Sequence, residues 1–237
     1  MNRLSPADLS LGRWLSRGWS TFTSRPAPLI GASLILNLVA SPSVVLMLDH
    51  VPAWGWAAWA VSMLLVYPVL LIGWCALLLK AVRGRDAAVG DLVTGLSRLG
   101  PSWGTGVLVT VLTFVGSALF VVPGIILWCR YVCALFAVTD RRLSPTEALN
   151  VSGRITAGHR GKLFGVWCLN NVLGVAVIAF IRAWQSNAGE GGPALLAMAI
   201  VIALVSVVIV EPWTCAANAV AYEDLVSLHD AEAVSGP

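Results

Sequence analysis

The chain has 237 residues, 58% of them hydrophobic and only 11% charged, with a mean hydropathy of +0.83 and a formal net charge of +3. Soluble domains average about 25% charged residues, and a single core of this size cannot hide so much apolar surface from water. The composition excludes a soluble domain and predicts an integral membrane protein of the all-α class. The fifteen Lys and Arg residues fall in short groups between uncharged stretches, a pattern that suits topology determinants better than a nucleic-acid surface. Cys75, Cys129, Cys133, Cys168 and Cys215 all lie in apolar segments, where a thiol behaves as a small hydrophobe.

Residues 1–25 form a leader too polar to cross a bilayer. Ser5-Pro6-Ala7-Asp8 offers an N-cap, a proline at the first helical position and an acid three residues after the cap. Leu11, Trp14, Leu15, Trp19 and Phe22 then recur at helical spacing opposite arginines, which predicts an amphipathic helix lying in the membrane interface. Uncharged stretches follow at 28–48 and 54–79, each able to supply the roughly 20 apolar residues of a span. Asp91 to Leu96 is a second, shorter interfacial candidate.

Gly104 to Val138 holds one charge, Arg130, and as one helix would run roughly 52 Å, too long for a single crossing. Pro123 and Gly124 sit near its middle and predict a hairpin between spans 103–121 and 124–139. Ser144-Pro145-Thr146-Glu147 repeats the capping pattern before Ala148, Leu149, Val151 and Ile155, giving a third interfacial helix. Spans 163–181 and 193–211 follow, with a kink at Pro212 and an acidic, solvated tail at 223–237. The membrane domain at 26–222 therefore has six predicted spans, arranged as a three-fold repeat of interfacial helix plus two-span hairpin.

Loop charge supports that path. Thirteen of the basic residues fall in the leader, the second loop and the fourth loop, while the first and third loops have none, so both termini are expected in the cytoplasm of a bacterial-type inner membrane. Trp54, Trp56, Trp59 and Trp184 fall near the outer boundary of this scheme and Trp103 and Trp213 near the inner one; Trp74, Trp128 and Trp167 read as core.

Arg130 is costly within a span and is expected either to meet Asn170 or Asn171 or to snorkel outward. Glu211 before Pro212 has two readings, a proton- or substrate-linked carboxylate or, preferred, an inner-interface acid paired with Arg141, Arg142 or Lys162. Gly161 with Gly165 and Gly100 with Gly104 place small residues four apart, as close helix packing requires. Arg13, Arg17, Arg25, Arg141, Arg142, Arg160 and Lys162 form a predicted basic collar for anionic headgroups. No spacing supports a phosphate loop, a metal site or a nucleophile with its base, so neither a cofactor nor an enzymatic activity is expected.

Val121 to Tyr131, with Pro123-Gly124 and Arg130-Tyr131, then Asp140, Ser144 to Ala148, Ser152 and Gly158 to Phe164, resemble a group of prokaryotic six-span membrane domains. That group includes the glycerophosphoryl diester phosphodiesterase membrane domain and related domains of unknown function. Gly18-Trp19 and Tyr222 fit its looser ends. The resemblance implies a helical membrane module. It does not carry hydrolysis, which there resembles the work of a separate soluble domain that this chain lacks. The functional expectation is a non-enzymatic protein that organises lipids, further copies of itself or partner membrane proteins, the alternative being a transporter or channel for small molecules or lipids. A polar cavity favours the transporter, and a dry bundle with an apolar groove favours the scaffold.

Overall fold

The structure, a computed structural model, describes residues 9–40, 52–119, 121–186 and 192–235, and among these all regular structure is helical. In chain order the elements are α1 (Leu11–Ser24), α2 (Pro26–Ala40), α3 (Ala53–Leu65), α4 (Tyr67–Val82), a 3-10 segment (Val89–Arg98), α5 (Leu99–Leu119), α6 (Val121–Arg141), α7 (Pro145–Ile155), α8 (Arg160–Ser186), α9 (Gly192–Val205), a π-helical turn (Ser206–Val210) and α10 (Glu211–Ser235). Three stretches are long and apolar enough to cross a membrane, Val122–Arg141, Arg160–Trp184 and Ala194–Ala231; the pair Trp54–Leu65 and Tyr67–Val82, bent by 42°, would make a fourth. Pro26–Ala40 and Trp103–Thr113 are apolar but shorter. The chain is thus a helical membrane protein.

Several expected boundaries move, each for a reason in the backbone. The stretch at 54–79 is not one rod but α3 and α4, because Pro68 has no N–H to give the carbonyl of Leu64. The indole of Trp103 donates to that carbonyl instead, at 2.7 Å. Helix α5 ends at Leu119 and α6 begins at Val121, so Pro123 and Gly124 lie in the first turn of α6, where a missing N–H costs nothing. A Cβ on Gly116 would stand 3.2 Å from the Gly124 Cα, so Gly124 serves close packing of the two arms rather than their reversal.

The largest difference is at the end of the chain. The kink expected at Pro212 is absorbed by the π-turn, and the helix continues to Ser235 where a solvated tail was expected. Ala216, Ala217, Ala219, Val220, Ala221, Tyr222 and Leu225 are all buried on it. At 38 residues, Ala194–Ala231 is about 57 Å long, roughly twice the hydrocarbon thickness.

The three expected interfacial segments exist as short helices, and they pack by one rule. The 3-10 segment lies on α4, the helix before it; α7 lies on α6, again the helix before it; and α1 closes the cycle by lying on α10. The second arms α4, α6 and α10 touch one another and form the core. They are tied at one end by Arg83, whose guanidinium meets Asp140 at 2.7 Å and Glu223 at 2.6 Å, while the Tyr222 hydroxyl donates to Asp140 at 3.2 Å. Away from that end, α3, α8 and α9 present Val61, Leu64, Val172, Val175, Ile178, Val201 and Leu204 outward, the surface a bilayer requires.

The leader therefore packs against protein rather than laying its apolar face on lipid. Trp14 is fully buried and Phe22 nearly so, and each such side chain contributes about 1.5–3 kcal/mol by leaving water. Gly18 permits the approach, since a Cβ there would meet the Ala217 backbone at 2.8 Å. The helix begins at Leu11 under a Ser10 cap that accepts the Arg13 N–H at 3.2 Å; the cap expected at Ser5 to Asp8 lies outside the described residues. The cap expected at Ser144 is present, with Glu147 Oε2 accepting from the Ser144 N–H at 2.9 Å and its hydroxyl at 2.7 Å. Those two donors hold the Glu147 carboxyl below its usual range.

The 3-10 segment lies tight against the α4 backbone: a Cβ on Gly73 would lie 1.9 Å from the Leu92 carbonyl oxygen. Gly73→Ala must push the two apart and is expected to cost about 1–3 kcal/mol, read as a lower unfolding midpoint in detergent. Gly100→Ala, which meets nothing within 4 Å, should leave the midpoint unchanged or slightly raised. The same segment is held by Asp91, which accepts from Lys80 Nζ at 2.6 Å and the Ala88 N–H at 3.0 Å. Burial pushes the Asp91 carboxyl up, but the Ala88 N–H and the Lys80 ammonium outweigh it and leave the group below its ordinary 3.8. A depressed carboxylate stabilises fully above its unfolded value and loses that contribution as pH falls through the folded one. Proteolytic cleavage near 89–98 should accelerate below pH 3.8, and Asp91→Asn should bring that faster cleavage to neutral pH.

Candidate functional site

The core helices do not fill the space between them. A cavity of about 590 Å³ lies among α2, α4, α5, α6, α8 and α10, within the size range of small-molecule sites. Helical periodicity builds its walls. Tyr67, Leu71, Trp74, Cys75 and Leu78 form one stripe of α4, and Trp128, Val132, Leu135 and Phe136 one stripe of α6. Glu211, Cys215 and Asn218, spaced i, i+4, i+7, form the stripe of α10. Asn37 from α2, Thr110 and Thr113 from α5, and Asn170 from α8 complete the polar lining.

The π-turn sets Glu211 in place. Its N–H bonds to the Ser206 carbonyl, and Pro212 has no N–H to offer, so the Val207 carbonyl is left for Ser33 Oγ, which donates to it at 3.0 Å. One turn along α2, Asn37 Nδ2 donates to Glu211 Oε2 at 2.5 Å. The carboxylate is thus met by a neutral amide, and no basic side chain among the described residues pairs with it. Nearby, Thr214 Oγ1 donates to Asn170 Oδ1 at 2.8 Å. Two lining polar atoms, Asn218 Oδ1 and the Thr113 hydroxyl Oγ1, are buried without a hydrogen-bond partner among the described residues.

Of the residues expected at an intramembrane polar site, Asn170 and Glu211 share the cavity, whereas Arg130 and Asn171 lie apart from it. Arg130 points away from the cavity, over Gly153 of α7, with its guanidinium 5.4 Å from the Tyr131 ring centre. Its carbonyl accepts from Ser152 Oγ at 2.7 Å. Because α7 runs beside α6 at this level, neither Asn170 nor Asn171 meets Arg130; Asn171 Nδ2 turns back to the Trp167 carbonyl at 2.8 Å. Glu211 does not pair with Arg141, Arg142 or Lys162 either. Arg141 pairs with Asp230 and Lys162 donates to the Leu9 carbonyl, since the continued α10 supplies acids beyond Pro212.

Most of the expected collar is engaged by partners within the protein while staying partly exposed. Arg13 and Arg17 hold Asp224, at 3.4 and 2.7 Å, and Arg25 pairs with Asp86 at 3.6 Å and donates to the Gly84 and Arg85 carbonyls. The hydrogen bond to Asp140 raises the Arg83 guanidinium above its usual value, against the cost of burial. Among the described residues Arg142 is exposed and forms no ion pair, whereas Arg160 is half-buried and its Nε has no partner. Of the glycines, Gly165 touches Leu11 and Gly104 the Pro145 ring, while Gly100 and Gly161 face open space. Trp213 gives its N–H to the Leu15 carbonyl at 2.8 Å, an intraprotein bond where an interfacial one was expected. Trp74 is buried, and Trp128 and Trp167 pack as a tilted pair 6.5 Å apart, as core residues should.

Asn37, Thr113, Asn218 and Tyr67 were not singled out from sequence. The signal existed for Asn218, in the Glu211, Cys215, Asn218 stripe, but ending the helix at Pro212 conceals it. Among the described residues no group of three His, Cys, Asp or Glu is placed to hold a metal ion. The family models contain no match to the chain, and no curated protein or solved structure is significantly similar to it.

An unpaired buried acceptor is a cost the protein bears when the cavity is empty. Asn218→Leu, close in volume and without the orphaned oxygen, is therefore expected to raise the unfolding midpoint, by the equivalent of about 1 kcal/mol. Thr214→Val, which strips Asn170 of its donor, should lower it.

Proposed function

We propose that this chain is a multi-spanning membrane transporter or channel-like protein whose central cavity takes up a small molecule. The observation that carries the reading is the cavity itself, lined from six helices and holding a carboxylate, Glu211, set by a break in its helix. Broken helices at a binding site are the usual means by which a membrane protein brings polar backbone and side chains to one depth, and π-turns are frequent at functional sites. A scaffold acting through a basic collar has less support, because Arg13, Arg17, Arg25 and Arg141 are engaged within the protein. Lipid headgroups are left to exposed cations such as Arg142 and Arg154.

In this reading α2, the α3–α4 pair, α5, α6, α8 and the α9–α10 rod make six crossings. Both termini then lie on the basic, cytoplasmic side of an inner membrane, with the protruding half of α10 sheathed by α1. The six-span membrane-domain group is the family this arrangement would suit.

Accessibility tests both function and path. A variant keeping Cys215 as its sole thiol, in sealed vesicles, should form a mixed disulfide with an impermeant methanethiosulfonate reagent, with loss of methanesulfinate, from at least one side, because the cavity must reach water to exchange its ligand. A thiol that resists the reagent from both sides would reject transport. In the same preparation a cysteine at position 142 should react only from the cytoplasmic side.

A further inference from the structure

Resting on the cavity reading above, we propose that the ligand is a lipophilic organic cation, an ammonium carried on an apolar or aromatic body. Three features of the cavity converge on that chemistry. Among the described residues the side chains that meet the Glu211 carboxylate, Asn37 and Ser33, are neutral, and a carboxylate away from water favours a ligand that brings the opposite charge. The two orphaned polar atoms, Asn218 Oδ1 on a residue only 7% exposed and Thr113 Oγ1, both accept hydrogen bonds. An ammonium supplies up to three donors and no acceptor, and so can satisfy an unpaired amide oxygen and a hydroxyl acting as acceptor. Finally, the remaining wall is apolar and aromatic, with Trp74 and Trp128 facing the space, and indole faces attract cations.

The competing chemistries fit less well. An anion would meet Glu211 with like charge. A bare metal ion would lack ligands, since no group of three acidic, thiol or imidazole side chains is assembled among the described residues, and would leave most of about 590 Å³ unfilled. A neutral lipid tail would match the aromatic wall but leave the carboxylate and both acceptors unanswered.

The test uses a matched pair of probes, 1-naphthylmethylammonium and the neutral 1-naphthalenemethanol, which share one aromatic body and differ in charge and donors. Binding to the full-length protein in zwitterionic-lipid nanodiscs is measured by calorimetry near neutral pH. The wild type should bind the ammonium about tenfold or more tightly than the alcohol, as hydrogen bonds to a charged partner imply. Glu211→Gln should abolish that preference while leaving alcohol binding in place, and Asn218→Ala should weaken only the ammonium, severalfold. Equal binding of the two probes by the wild type overturns the cationic assignment and leaves the cavity reading standing; no binding of either probe overturns both. Should Glu211→Gln fail to fold, the wild-type comparison and Asn218→Ala still decide the matter.

Discussion

A bilayer offers no water to a bare carbonyl, so each place where this chain breaks a helix must be repaired from another helix. Pro68 and Pro212 make two such breaks, and the repairs are specific: Trp103 of α5 reaches the Leu64 carbonyl, and Ser33 of α2 reaches the Val207 carbonyl. The first repair ties α5 to α3 and the second ties α2 to the α9–α10 rod, and so each fixes where its two helices sit. Tyr67 and Glu211 immediately precede the two prolines, and both line the cavity. The breaks that strain the helices are thereby the features that present polar groups to the interior.

The charge distribution follows from the same packing. A basic leader and basic loops look from sequence like a surface offered to anionic lipid. Once α10 continues past Pro212, its Glu223, Asp224 and Asp230 come within reach of Arg83, Arg13, Arg17 and Arg141. Asp224 is almost wholly buried, so its two arginines compensate a charge that would otherwise be expensive. The result is a polar clasp that binds the two ends of the chain, α1 and α10, and closes the cycle of short helices on second arms.

What could be read in advance divides along physical lines. Hydropathy and capping are local, so the membrane class, the Ser144 cap and the division into short segments and hairpins were legible from residues such as Ser144, Glu147 and the uncharged run around Arg130. Partner choice is not local. Arg130 faces α7 instead of Asn170 because α7 folds back along α6, a path that no spacing within either helix encodes. Pro212 was a fair stop signal on its own terms. Whether a proline ends a helix or sits inside one depends on whether a neighbour supplies the missing bond, here from Ser33, 174 residues away from Val207.

That non-local repair also bears on how the site could work. A π-turn holds one extra residue, and moving it along the helix rotates each residue it passes by about 100° while those on either side keep their faces. Past Glu211, such a shift would carry the carboxylate off the face shared with Cys215 and Asn218 and break its bond with Asn37. Ser33 holds the present register by bonding the one carbonyl that the turn frees. The pair Ser33 and Asn37, one helical turn apart on α2, therefore grips both sides of the break.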